Sequence, residues 1–248
     1  MMTKPFMTLC VNLDRSPDRR RDITAQAEAL GLEVEFVSAV DGELVGPDDP
    51  EMARYNRAKR NLTWRRDLSQ AEIACVLSHR RAITRFLASD FPFAVVLEDD
   101  AVLSPSFPQR LQAVLAVPDR WSIVRLMRHG QETNSEVIAT LEDGARLVLR
   151  RKWTLGGTAI LYSRHSARTF LDRTERFFEA FDNLVGRPHV VGDVILELEP
   201  PIVEENKAAP STIEKTRTGP TNKKNMRPVW KWLTSLNRIW SRRRLRRG

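Results

Sequence analysis

FMTLCVNLDRSPDRR, residues 6–20, is the stretch on which the fold turns. Phe6 to Leu13 is a short, mostly apolar run that reads as a buried strand. It stops at Asp14, and Ser16-Pro17-Asp18 then supplies an N-cap residue, a proline for the first helical position and an early carboxylate. Ile23, Ala27 and Leu30 recur at helical spacing, Gly31 is a natural stop, and Val34 to Val40 reads as a second strand. Strand, helix, strand in that order is the unit of a nucleotide-binding α/β sheet.

Downstream, residues 42–68 are polar and irregular, a long loop with one short helix, the kind of segment that serves a site in a compact enzyme. Ser69 and Glu72 then form a capping box, and Ile73, Val76, Leu77, Ile83, Phe86 and Leu87 make an apolar stripe. Phe93 to Leu97 is another buried strand, and it delivers Glu98-Asp99-Asp100 at its C-terminal end. Ser122–Met127, Leu147–Leu149 and Thr158–Tyr162 read as further strands, with Ser163 capping a phenylalanine-rich helical stretch.

Composition narrows the classes. The 40 Lys and Arg exceed the 32 Asp and Glu by eight, but ten of the basic residues lie in 219–248, which holds no acidic residue. The rest of the chain is near neutral, so a nucleic-acid partner is the weakest reading. Cys10 and Cys75 sit in apolar contexts and read as small buried thiols of a reducing compartment. No leader-like or bilayer-spanning stretch is evident, which places the protein in the cytoplasm as an expectation.

Three consecutive carboxylates repel one another, so folding them together calls for a compensating cation. Hard oxygen ligands at the C-terminal rim of a sheet suit Mg²⁺ or Mn²⁺ holding a diphosphate. A solvated acidic turn is the competing reading. His79 shares its helix face with Cys75, Val76 and Ile83, which fits a core histidine as well as a ligand. Arg15 and Arg19 read either as donor contacts or as surface partners of Asp18 and Asp22. Gly156-Gly157 is too short for a phosphate loop and reads as permitting close backbone approach beside Thr158.

The order of these motifs resembles glycosyltransferase family 25, which includes lipopolysaccharide-core and collagen galactosyltransferases. VNLDRSPDRR (11–20), AVDG (39–42), LSQAEIACVLSH (68–79), VLEDD (96–100), GGTAILYSRHSA (156–167), FDN (181–183) and PPIVEE (200–205) with STI (211–213) are similar to its successive markers. Ala71 and Ala74 stand where the family pattern has glycine, and the aromatic of Ile160-Leu161-Tyr162 is displaced. The resemblance implies a GT-A-like, Rossmann-like single domain over 1–206 and an inverting, metal-dependent hexosyltransferase. Its donor would be a UDP-hexose (galactose or glucose) and its acceptor a lipid-linked oligosaccharide of lipopolysaccharide or lipooligosaccharide type. It implies Asp100 and Glu98 as ligands of Mn²⁺ or Mg²⁺. Donor contacts would come from Asn12, Asp14, Arg15, Arg19, His79, Asp99, Gly157 and Thr158. Asp182 would be the general base, with Asp193 as runner-up and a helix-end cap as the alternative role for Asp182. A catalytically silent nucleotide-sugar or glycan-binding scaffold is the other function compatible with these motifs.

Residues 207–227 are polar and poor in large apolar side chains, a linker. In 228–248, Trp230, Trp232, Leu233, Leu236 and Trp240 accompany a basic set that includes Arg242 and Arg243. That pattern is a C-terminal basic amphipathic helix, suited to shallow docking on an anionic membrane surface at its inner face. An oligomer contact or a nucleic-acid-binding end are the competing readings.

Overall fold

The computed structural model describes residues 6–46, 48–64, 66–128, 135–150, 156–186 and 194–206. The linker, the tail with its tryptophans and arginines, and Asp193 lie outside these residues. No helix among the described residues is long and apolar enough to cross a membrane.

β1 (Phe6–Asn12), α1 (Pro17–Ala29) and β2 (Glu35–Ser38) form the opening unit, with β1 and β2 parallel. Pro17 takes the first helical position, but the Ser16 side chain makes no capping bond. The loop that follows folds a 3₁₀ turn (Pro50–Arg54) and α2 (Arg57–Thr63), one regular piece more than its sequence indicates. Asp49 and Asn56 cap these pieces, each accepting from a backbone N–H. α3 (Gln70–Leu87) starts on the complete Ser69/Glu72 capping box, worth about 1 kcal/mol. Then come β3 (Phe93–Glu98), β4 (Ala101–Leu103), α4 (Phe107–Leu115), β5 (Ile123–Arg125), β6 (Ser135–Thr140), β7 (Arg146–Arg150) and β8 (Ala159–Ser163). α5 (Arg164–Arg173), α6 (Phe181–Gly186), β9 (Ile195–Glu199) and β10 (Val203–Glu205) complete the order.

Among the described residues, eight strands form one mixed sheet, β2-β1-β3-β8-β5-β9-β7-β6, and β10 pairs with β4. β1 is parallel to β3, whereas β8 runs antiparallel to both its neighbours, β3 and β5. The C-terminal ends of β1, β3 and β5 and the N-terminal end of β8 therefore share one rim.

Strand alternation sends side chains to two cores. Ala94 and Val96 of β3 and Ile160 and Tyr162 of β8 join one core with α3, α5 and α6. Val95, Leu97, Ala159 and Leu161 join the other with Ile23 of α1 and Phe107, Leu111 and Val114 of α4. β3 is buried on both faces, which is why its sequence is an unbroken apolar run. Each fully buried large apolar side chain contributes about 1.5–3 kcal/mol, so this strand is firmly anchored and its last residues are held at the rim.

A close approach fixes the loop after β2. A Cβ on Gly42 would sit 2.9 Å from backbone atoms of Ala71 and Gln70, so the AVDG segment lies backbone to backbone against the start of α3. Ser78 adds a second tie, accepting from the Val40 N–H at 2.8 Å.

Candidate functional site

The period of two that sorts the cores also sorts the three carboxylates. Glu98 continues the α3-facing series of Ala94 and Val96, and its Oε1 lies 3.0 Å from His79 Nε2 and 3.9 Å from Cys75 Sγ. Asp99 turns the other way, toward α1. Its Oδ2 accepts from Asn12 Nδ2 and its Oδ1 from Arg19 Nη1, both at 2.8 Å. Asp99 is thereby fixed to the end of β1 and the first turns of α1. Asp100 stands in the turn before β4, its main-chain carbonyl accepting from the Asn206 N–H at 2.8 Å. Its Oδ1 is buried and has no hydrogen-bond partner among the described residues.

A fourth carboxylate arrives from far along the chain. β10 pairs with β4 so that Glu205 stands opposite Ala101, and its charge acts on both Glu98 and Asp100. Burial, then the charges of Asp182, Asp99 and Glu205, pushes Glu98 up to about 8, with Arg19 opposing. Burial, then Glu98, Glu205 and Asp99, pushes Asp100 up to about 7. Buried carboxylates that resist ionisation, one with an orphaned oxygen, are a donor set short of positive charge. Hard oxygen ligands of this kind fit a Mg²⁺- or Mn²⁺-class cation. Asp100, Glu98 and Glu205 act on one another through their charges, but among the described residues their oxygens do not gather within 4.8 Å as a set of three.

The neighbouring stretch of rim carries the late aspartate. Phe181 opens α6 and stacks on the His79 ring, centroids 3.5 Å apart and planes 12° from parallel. Asp182 follows it, and its charge is felt by Glu98, Cys75, His79 and Arg125. His79 is 1% exposed, and burial drives its pKa down to about 3, so the ring is neutral. Gly157 lies under Phe181: a Cβ there would be 2.3 Å from Phe181 Cε1. The carbonyl of Thr158 accepts from the Glu98 N–H at 2.8 Å, joining the Gly-Gly-Thr turn to the acidic strand end.

Arg125, at the end of β5, braces that turn by donating from Nη2 to the Gly156 carbonyl at 2.7 Å. It is paired with Glu197, which also pairs with Arg150, and Arg150 reaches Glu199. The run of charges lies across β5, β9 and β7, and removing one member of such a buried set costs about 3–5 kcal/mol.

The structure thus brings together Asn12, Arg19, His79, Glu98, Asp99, Asp100, Gly157, Thr158 and Asp182. Asp14 and Arg15 lie just past the end of β1 in exposed positions, bonded toward β2 and the loop after it. Asp14 accepts from Ser38 Oγ, and Arg15 pairs with Asp41 and Glu43 rather than with Asp18 or Asp22. Arg21 takes Asp18 instead. Glu205, Arg125 and Phe181 join the site without having been picked out as site residues in the sequence. For Phe181 the adjoining Asp182 was a usable signal; for Glu205 there was only the acidic pair ending PPIVEE.

The sequence profile described as "Glycosyltransferase family 25 (LPS biosynthesis protein)" matches residues 6–185. A Glycosyltransferase 25 family member of Aedes aegypti is 28% identical over 167 residues, covering 65% of this chain and 27% of the relative. One from Drosophila pseudoobscura pseudoobscura is 34% identical over 116 residues, covering 46% and 18%. The chain therefore spans 18% to 27% of the length of these curated relatives. Among solved structures, a glycosyltransferase involved in the glycosylation of the major capsid of PBCV-1 aligns with a TM-score of 0.37 and 7% identity, over 79% of this chain and 92% of that one.

Proposed function

The chain belongs to glycosyltransferase family 25, and from that premise we propose that it transfers a hexose, galactose or glucose, from a UDP-sugar to a lipopolysaccharide- or lipooligosaccharide-type acceptor. In this reading the mixed sheet is a GT-A-like nucleotide-sugar fold, the reaction inverts the anomeric centre, and a divalent cation is required. The acceptor is lipid-linked, and the basic C-terminal segment docks the enzyme on the anionic inner face of a membrane.

The observation that carries the proposal is the buried, unpartnered Oδ1 of Asp100 among Glu98 and Glu205. Such a set favours a cation, and a cation at this rim favours a diphosphate. When bound, the ion supplies Lewis-acid charge to the departing nucleoside diphosphate. The protein's own part is positional. Asn12 and Arg19 lock Asp99, which keeps the end of β3 at a fixed height beside β1. Thr158 holds Glu98 in register through its main chain. Asp182, on the helix braced by the His79–Phe181 stack, takes the proton from the acceptor hydroxyl as that oxygen attacks the anomeric carbon.

The test is release of UDP from a panel of UDP-hexoses with Mn²⁺, with Mg²⁺ and with chelator. Release should need the cation and vanish in Asp100→Ala while circular dichroism stays native. Metal-independent release, or an unchanged Asp100→Ala, rejects the proposal. Donor binding without transfer or hydrolysis across acceptors would point to the silent scaffold.

A further inference from the structure

Cys75 and His79 are four residues apart on α3, so their side chains stand on one face of the helix. Glu98 meets both from the end of β3. The ligand atoms of the three residues all lie within 4.8 Å of one another. We propose that Cys75 Sγ, His79 Nε2 and Glu98 Oε1 form a binding site for a thiophilic divalent cation of the zinc class, one that overlaps the hard-cation position at Asp100 through Glu98.

The geometry needs little adjustment. A tetrahedral zinc centre separates its nitrogen and oxygen ligands by about 3.4 Å and its sulfur from either by about 3.6 Å. Here nitrogen to oxygen is 3.0 Å and sulfur to oxygen 3.9 Å. Three protein ligands leave a fourth position open. Access comes from the Glu98 side, where the side chain keeps 26% of its surface exposed. The donor set is also the right one: sulfur, imidazole and a single carboxylate select zinc-like ions over Mg²⁺ or Mn²⁺, which prefer oxygen.

The His79 ring is almost completely buried, and the stack on Phe181 holds Nε2 facing Glu98 at 3.0 Å. Ligation through Nε2 puts the ring proton on Nδ1, which has no acceptor among the described residues, so that unmet donor is a cost the site carries. Binding sends the thiol proton to solvent and leaves a thiolate on the ion. Because Glu98 is shared, a zinc-class ion there withdraws it from the carboxylates around Asp100. The site stands whether or not the transferase reading does, and its consequence for that reading is inhibition by soft cations.

Cobalt(II) is the probe, since thiolate ligation gives a charge-transfer band and oxygen ligation does not. Titrating the full chain with Co²⁺ should produce that band with a stoichiometry of one, and Zn²⁺ should abolish it at least about tenfold more effectively than Mn²⁺. The band should be lost in Cys75→Ser and in Cys75→Ala, and kept in Asp100→Asn. A band that survives both Cys75 substitutions, one that disappears in Asp100→Asn, or no band in the wild-type chain would overturn the proposal. UDP release plays no part in this readout, so its outcome is separable from the test of the transferase.

Discussion

Gly157→Ala places a methyl group where the structure has no room for one. The new Cβ would lie 2.3 Å from Phe181 Cε1 and 2.6 Å from Cδ1. An ordinary carbon–carbon contact is about 3.5 Å, so the ring has to retreat by about 1 Å. Its face toward His79 is already closed by a stack at 3.5 Å, and Phe170 meets its edge with centroids 6.1 Å apart. The strain must therefore pass into α6 and carry Asp182 with it. Overpacking of this kind costs about 1–3 kcal/mol, which for a chain of this size lowers the melting temperature by roughly 3–10 °C. With Asp182 as the proposed base, moving it by about 1 Å costs on the order of a hundredfold in turnover. Thermal melting and turnover at saturating donor, acceptor and cation measure the two effects. Gly46→Ala is the control, because a Cβ there meets nothing within 4 Å. Adding Phe181→Leu to Gly157→Ala should recover part of the stability but not the turnover, since the His79 stack is then gone. Unchanged melting and turnover in Gly157→Ala would refute the packing of Gly157, Phe181 and Asp182 into one unit.

Other outcomes follow from the same rim. Between pH 6.5 and 8, Glu98 and Asp100 keep protons that the unfolded chain has released, while His79, neutral in the folded chain, loses only its remaining fractional charge in the unfolded one, a small opposing effect. Metal-free stability should therefore fall as pH rises through this window, by on the order of 2 kcal/mol, and excess Mn²⁺ should flatten the fall; chemical denaturation at each pH reads it, and stability rising with pH contradicts it. Asn12→Ala leaves Asp99 with one of its two partners and should cost about 1–3 kcal/mol in urea denaturation, whereas an unaltered midpoint would mean the pair carries no weight. Asp182→Asn should lower turnover about 10²- to 10⁴-fold with donor affinity intact, as read by steady-state kinetics beside calorimetric UDP binding; full activity removes Asp182 from the base role.

What could be read from the sequence was local. The opening β1–α1–β2 unit, the capping box at Ser69 and the acidic end of β3 are each written in a few adjacent residues, because strand period, helix period and caps are short-range physics. The division of labour within Glu98-Asp99-Asp100 was implicit in the same alternation, yet it needed knowledge of which helix covers which face. Glu205 was not legible, since its place depends on β10 pairing with β4 about a hundred residues away. β9 was hidden for a different reason: Ile195-Leu-Glu-Leu-Glu199 puts glutamates in a buried strand, tolerable only because Arg125 and Arg150 arrive from neighbouring strands. Cys75, expected to be a small buried thiol, is only partly covered and lies beside Glu98.

The central claim, that these carboxylates grip a nucleoside diphosphate by way of a cation, is tested most directly by calorimetric titration of UDP with and without Mn²⁺ in wild type and Asp100→Asn. Linkage requires that a cation bridging protein and diphosphate raise UDP affinity in the wild type and leave it unchanged once its ligand is gone. Equal affinity in Mn²⁺ and chelator for the wild type, or a full Mn²⁺ effect retained by Asp100→Asn, would contradict it.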